Sequence, residues 1–119
     1  MALAAGKTST IKLGTNVTNP STRIAPMTAC SFGTLNVLAP GRVIMGIGTG
    51  NTARRTLGMP AARIATLRAH IETCRGLWRR ETVPYTERER MIRFLNPDGG
   101  FLNLDDPIPV HIAGSGPKR

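Results

Sequence analysis

Two glycine turns in this chain sit where short apolar runs end. Gly48-Thr49-Gly50-Asn51 follows Val43-Ile44-Met45-Gly46-Ile47, and Gly114-Ser115-Gly116-Pro117 follows Ile108-Pro109-Val110-His111-Ile112-Ala113. A glycine lets the backbone turn sharply and come close to a ligand that a Cβ would hold away. If a helix opens directly after the turn, with Asn51 or Thr52 as its cap, its free N–H groups face whatever occupies the turn. The chemistry on offer is binding of a phosphate or another anion through the backbone. Gly48 to Ala53 also matches the G-x-G-x-x-A pattern of dinucleotide-binding turns. That pattern requires an acidic residue at the end of the next strand, about 20 residues on. Glu72 has the spacing but sits inside a helical stretch, so the dinucleotide reading fails.

Side-chain chemistry is thinly supplied. His70 falls mid-helix on the arginine side, a solvated position, and His111 falls within an apolar strand, a core position. Ser115 lacks the G-x-S-x-G elbow, and Asp105-Asp106 reads as a loop before a strand. No carboxylate pair is placed for acid–base work, so no catalytic residue is assigned. Cys30 and Cys74 show neither CxxC nor Cys/His ligand spacing, which argues for reduced, buried thiols in a cytosolic protein and against a metal site. Gly6-Lys7-Thr8 ends like a P-loop, but Met1 stands where the first glycine belongs and no strand precedes it.

At 119 residues with 40% hydrophobic content the chain is one domain's worth with material for a core. A net charge of +9 would suit a nucleic acid. The arginines at 54, 55, 63, 68, 75, 79 and 80 are spread at spacings of a wet helix face, and aromatic residues make up only 4% of the chain. Base stacking wants more rings than that. A solvated face is the preferred reading, and a small basic module for nucleic acid or another polyanion is the alternative. No apolar run approaches a membrane span, and MALAAGKTST lacks the pattern of a signal peptide. A cytoplasmic protein is expected.

The elements that must position the turns read as βαβαβ. MALAAG resembles a helix stopped by Gly6. Thr10 to Val17 is a first strand with Ile11, Leu13 and Val17 as its apolar set. A helix from Pro26 to about Leu38 follows, with Met27, Cys30, Leu35 and Leu38 on its buried side. Val43 to Ile47 is buried on both faces, as in a parallel sheet. A short helical piece ends at Gly58. Pro60 opens the longest helix, to about Arg80, with Ile64, Leu67, Ile71, Cys74, Leu77 and Trp78 as its stripe. Residues 80–107 read as an excursion, a hairpin about Pro97-Asp98-Gly99-Gly100. Ile108 to Ala113 closes the set. Such units form parallel sheets with right-handed crossovers and gather ligands at the strand C-terminal ends.

NVTNPSTR (16–23), GRVIMGIGTGN (41–51), RIATLRAHIETCRGLW (63–78) and PVHIAGSGPK (109–118), in that order, resemble the bacterial-luciferase-like flavin or deazaflavin oxidoreductases. The likeness is strongest to their methylenetetrahydromethanopterin reductase branch. It covers nearly the whole chain. It implies an α/β chain forming part of a (β/α)8 TIM barrel, strands three to five with their helices, with residues 1–119 as a single partial barrel domain. It also implies FMN or an 8-hydroxy-5-deazaflavin coenzyme, a small organic substrate, and hydride transfer or monooxygenation. Carried over by motif, Asn16 and Val17 press on the ring, and the bond between them is a non-prolyl cis peptide. Gly48, Thr49, Gly50 and Asn51 line the cofactor, and Gly114, Ser115, Gly116 and Pro117 meet its ribityl and phosphate portion. Asn51 stands where deazaflavin relatives often carry an acid, and Asn cannot serve as a general acid. Asn16 stands where the reductases often have Gly. A whole barrel needs about 250 residues, so a fragment inactive by itself is expected. Its inward-facing Ile44, Ile47 and Val110 would be left for the remaining barrel segments or for self-association.

Overall fold

The computed structural model describes residues 1–85 and 89–114. In chain order the elements are α1 (Ala2–Lys7), β1 (Leu13–Gly14), α2 (Ala25–Leu38), β2 (Val43–Ile47), α3 (Asn51–Thr56), α4 (Ile64–Trp78), β3 (Val83–Tyr85), β4 (Arg90–Ile92) and β5 (Val110–Ile112). One sheet has the order β1-β2-β5, parallel throughout, with Leu13 opposite Val43 and Met45 opposite Val110. The three strands are thus the neighbours that the βαβαβ pattern predicts.

Side chains of a strand alternate between faces, and β2 uses the alternation fully. Val43, Met45 and Ile47 enter the core with Ala29, Phe32, Leu67, Ile71, Cys74 and Leu77, while Val110 packs against that cluster. Ile44 and Gly46 turn to the opposite, open face. Of the three residues expected to point inward in a barrel, only Ile44 does so. Ile47 and Val110 lie at the wrong parity.

β1 is shorter than the expected 10–17. Only Leu13 and Gly14 pair as a strand; the chain then arches away and returns at Thr18, which bridges Ile47. Ile11 and Val17 are therefore exposed, and only Leu13 of the expected apolar set reaches the core. Arg42, just before β2, ties the approach to β1 in place. Its guanidinium donates to the carbonyls of Ala5, Thr8 and Ile11 and to Thr8 Oγ1, at 3.0–3.2 Å. α1 continues through Gly6 to Lys7 rather than stopping at the glycine.

α2 buries a different side from the one expected. Ala25, Thr28, Ala29, Phe32, Gly33 and Asn36 face inward, whereas Met27 and Leu38 are 56% and 49% exposed. The cause is close packing. Trp78 Nε1 donates to the Ala29 carbonyl at 3.0 Å, Cys74 Sγ approaches the Ala25 carbonyl at 3.5 Å, and the Phe32 and Trp78 rings meet edge to face at 6.4 Å. Large side chains at 25 or 29 would hold α4 away. α4 starts at Ile64, not Pro60, and Ile64 is exposed; the rest of its stripe is buried as expected. His70 joins that stripe at 6% exposure, contrary to the solvated position read from its arginine neighbours.

The excursion does hold a hairpin, but at β3 and β4, ahead of the Pro97–Gly100 turn. The residues flanking that turn have other partners. Arg80 donates to Asp98 at 2.9 Å and to Asp105 at 2.8 Å. Asn36, wholly buried, holds the return of the chain: its Nδ2 donates to the carbonyls of Asn103 and Asp106, both at 2.9 Å, and its Oδ1 accepts from Gly41 N at 3.1 Å. Asn103 Nδ2 answers by donating to the Asn36 carbonyl at 3.0 Å.

Replacing Asn36 by Ala orphans two carbonyls and one N–H in the interior, and unfolding in urea should show a loss of at least about 2 kcal/mol. Burial pushes the Cys74 thiol up from 9.0 to about 12. The folded state thus resists its ionisation, so Cys74 contributes stability that is present below pH 9.0 and is lost as pH rises toward about 12. Cys30 is partly exposed rather than buried as expected, so alkylation at pH 8 should label it and spare buried Cys74 until the chain unfolds. Equal labelling rates in the folded state would contradict this.

Candidate functional site

At the C-terminal ends of the three parallel strands lies an open cleft of about 530 Å³, lined by Val17, Thr18, Asn19, Gly48 to Ala53, Ala113 and Gly114. It brings together Val17, Gly48, Thr49, Gly50, Asn51 and Gly114 of the residues singled out in the sequence. Asn16 lines an adjoining hollow of about 380 Å³ on the open face of the sheet, with Thr15, Ile44, Gly46 and His111 among its neighbours. Val17 and Ala113 belong to both spaces. Ser115, Gly116 and Pro117 lie outside the described residues.

The cleft depends on glycines at three levels. At the lowest, a Cβ on Gly46 would drive into the carbonyl oxygen of Thr15. Without one, the arch after β1 settles on β2: Thr15 Oγ1 donates to the Gly46 carbonyl at 2.6 Å and Thr18 N donates to the same oxygen at 2.9 Å. Gly48 N then donates to the Thr18 carbonyl at 3.0 Å. The arch carries a cis peptide between Asn16 and Val17, as the resemblance implies. At the next level a Cβ on Gly48 would come to 3.3 Å from Val17 Cγ2 and 3.6 Å from Ala113 Cβ, so Val17, Gly48 and Ala113 share one layer. At the rim Gly50 adopts φ +72°, and a Cβ there would stand 2.7 Å from Asn19 Cβ.

Asn19, not singled out in the sequence, and Thr49, which was, fix the rim. Asn19 is buried, and its Oδ1 accepts from the N–H groups of Ser21 and Thr22 at 2.9 and 3.1 Å, an Asx turn that shapes the wall behind Gly50. Thr49 is buried, and its carbonyl accepts from Ala62 N at 3.1 Å. Arg54 reaches from α3 to the Pro60 carbonyl and Ser21 Oγ and pins both sides. Asn19-Pro20 is a turn signal in the sequence, but its contact with Gly50 depends on the fold.

Gly50, in the left-handed region, caps α3; Asn51 is the first helical residue, and neither it nor Thr52 serves as cap. α3 has six residues, and the dipole of so short a helix adds little for an anion. What the cleft offers is bare backbone and a flat apolar layer rather than a strong field. His111 is exposed on the open face, not packed in the core as expected, because β5 is an edge strand of the sheet, where neighbouring Ile112 is exposed as well. Among the described residues no group of three or more His, Cys, Asp or Glu could hold a metal ion. None of the helices described is long and apolar enough to cross a membrane.

A three-stranded parallel sheet with helices against one face and a glycine-lined cleft at the strand C-termini is the architecture of a segment of a (β/α)8 barrel. Residues 1–119 match the model of the luciferase-like monooxygenase family, and the chain belongs to that family. It is 35% identical over 128 residues to an F420-dependent glucose-6-phosphate dehydrogenase of Kineococcus radiotolerans, covering 95% of this chain and 34% of that protein. It is 37% identical over 120 residues to a 5,10-methylenetetrahydromethanopterin reductase of Methanolobus tindarius, covering 99% of this chain and 36% of that protein. Among solved structures, the coenzyme F420 dependent tetrahydromethanopterin reductase of Methanopyrus kandleri superposes with a TM-score of 0.71 at 26% identity, over 97% of this chain and 38% of the other. An F420-dependent secondary alcohol dehydrogenase shares the fold, with a TM-score of 0.74 at 22% identity, over 96% and 36% of the two chains. The chain thus spans roughly a third of the length of these relatives.

The glycines can be ranked by what surrounds them. Gly46→Ala should be the most damaging, lowering stability by about 3 kcal/mol or more because backbone on both sides must shift. Gly6→Ala has open space around it in α1 and should raise stability by about 0.5–1 kcal/mol. Chemical denaturation of both variants checks the ranking, and a harmless Gly46→Ala would contradict the packing described.

Proposed function

We propose that this chain forms one side of the deazaflavin site of a luciferase-like oxidoreductase, and that the cleft of Val17, Gly48 to Asn51, Ala113 and Gly114 receives the cofactor. The carrying observation is the layer of Val17, Gly48 and Ala113. It is flat and apolar, stands at the strand C-termini, and exists because position 48 has no Cβ. A planar ring can lie against such a layer at van der Waals distance. The adjoining backbone of the Thr49-Gly50 and Gly114 turns suits a polar or anionic side chain of the cofactor. When bound, a deazaflavin accepts or donates a hydride.

The relatives named above support coenzyme F420, an 8-hydroxy-5-deazaflavin coenzyme, over FMN as the cofactor. Asn51 at the rim can orient a ligand by hydrogen bonding but cannot exchange a proton with it at ordinary pH. The reading is therefore hydride transfer on a small organic substrate, with proton exchange left to another group. The outer edges of β1 and β5 and the open face beside Ile44 favour association of this chain with further copies when it is isolated.

Saturation-transfer difference NMR reads cofactor protons at low micromolar protein and so tolerates weak binding and association. Coenzyme F420 should show transfer to its ring protons, and excess FMN should displace it only in part. Asn51→Trp, at an exposed rim position that tolerates the change, should fill the cleft and reduce the transfer several-fold while circular dichroism stays unaltered. Transfer from an oligonucleotide in place of F420, or full transfer from F420 to Asn51→Trp, would refute the proposal.

A further inference from the structure

Between α4 and β5 lies a groove of about 380 Å³ that shares Thr49 and Ala113 with the cleft and is otherwise lined by different residues. Its apolar part comes from Ile64, Leu67 and Ile71 of α4 and from Ile112 of β5. Strand alternation puts Ile112 on the same side of the sheet as Val110, the side that faces the helices. Yet Ile112 is 59% exposed, and Ile64 across the groove is 47% exposed, because β5 is the edge of the sheet and none of the described elements covers it there. Leu67 and Ile71 are buried and continue the same stripe into the core.

The rim carries a charge pattern. Arg68, Glu72 and Arg75 are exposed, line the groove and fall on one flank of α4 at i, i+4 and i+7. Among the described residues none of the three belongs to an ion pair. An apolar strip beside an ordered plus, minus, plus row fits an amphipathic helix whose flank carries minus, plus, minus, the helix-in-groove mode of recognition. Opposite charges at such a rim set register and partner choice more than raw affinity. A second copy of this chain supplies no such helix. Among the described helices Glu72 is the one acidic residue, and α2, the helix with an exposed apolar side, has no charged residue at all. Two chains of net charge +9 also repel each other, whereas an acidic partner is drawn in.

We infer that the groove between α4 and β5 is a docking surface for an amphipathic helix of a separate, acidic polypeptide, with carboxylates on Arg68 and Arg75 and a basic side chain on Glu72. Three labelled helical peptides of about 20 residues test it by fluorescence anisotropy. They share one composition and one leucine face and differ in the order of charges along the flank: Glu-Lys-Glu, Lys-Glu-Glu and Glu-Glu-Lys. Equal net charge removes any effect of the chain's overall charge. The wild-type chain should bind the Glu-Lys-Glu peptide about 3- to 10-fold more tightly than the other two at low salt, as expected for exposed ion pairs, and the difference should fade at 1 M salt, where the Debye length is about 3 Å. The exchange Arg68→Glu with Glu72→Arg keeps the net charge and alters exposed positions alone. It should move the preference to one of the other two peptides, whichever matches the direction of docking. Ile112→Thr, which keeps the β-branch, should weaken all three several-fold while circular dichroism stays unaltered. Equal binding of the three peptides, no binding of any, or a preference that survives the exchange would overturn the inference. So would a dimer that Ile112→Thr dissociates in sedimentation, since the groove would then belong to a second copy.

Discussion

The carbonyl of Gly46 is the point on which the site is assembled. It accepts from the Thr15 hydroxyl and from Thr18 N, and it can do so because Gly46 lacks the Cβ that would strike Thr15. The arch between those two donors carries Asn16 and Val17 over the end of β2 and lays Val17 beside Gly48. The return at Thr18 leads directly into Asn19, whose side-chain turn shapes the wall against Gly50. A side chain at 46 would lift the arch, and with it the floor, the wall and the rim of the cleft.

The rest of the fold serves to hold β2 and β5 where the arch can use them. Small residues of α2 let α4 come close enough for Trp78 and Cys74 to meet carbonyls of α2, which places a dense layer behind Val43, Met45 and Ile47. Asn36 fixes the path of the chain on its way to β5 with two hydrogen bonds to backbone carbonyls and holds Gly41, ahead of β2, with a third. Arg42 does the same for the approach to β1. A buried polar side chain with all its bonds made specifies one arrangement more sharply than an apolar one, because every alternative leaves its partners unsatisfied.

Much of this was legible in the sequence. The strand, glycine turn and helix around Gly48 to Asn51 follow from an apolar run and from glycine's freedom, and both are local properties. The parallel order of the three strands follows from the βαβαβ pattern. What misled was the assignment of faces. On α2 Met27 and Leu38 lie outside, because beside Phe32 the inner side needs small residues for close helix approach; hydrophobicity alone does not report a distance constraint. His70 and His111 were exchanged in effect. The arginine neighbours of His70 in sequence point to a solvated position, but the α4 stripe is wide enough to include it. For His111 the apolar strand around it points to the core, but β5 is an edge strand of the sheet and leaves it exposed. The hairpin was drawn to the residues with the strongest turn signal, yet Asp98 and the 101–106 stretch are engaged with Arg80 and α2 and cannot pair with each other.

The account stands or falls on where a deazaflavin ring lies. A crystal structure of this chain grown with coenzyme F420 measures that directly. The account predicts the ring packed on Val17 and Gly48, with the cofactor's side chain running past the turns at Gly50 and Gly114. A ring seated elsewhere, for example along the arginines of α4 with the cleft empty, would contradict it.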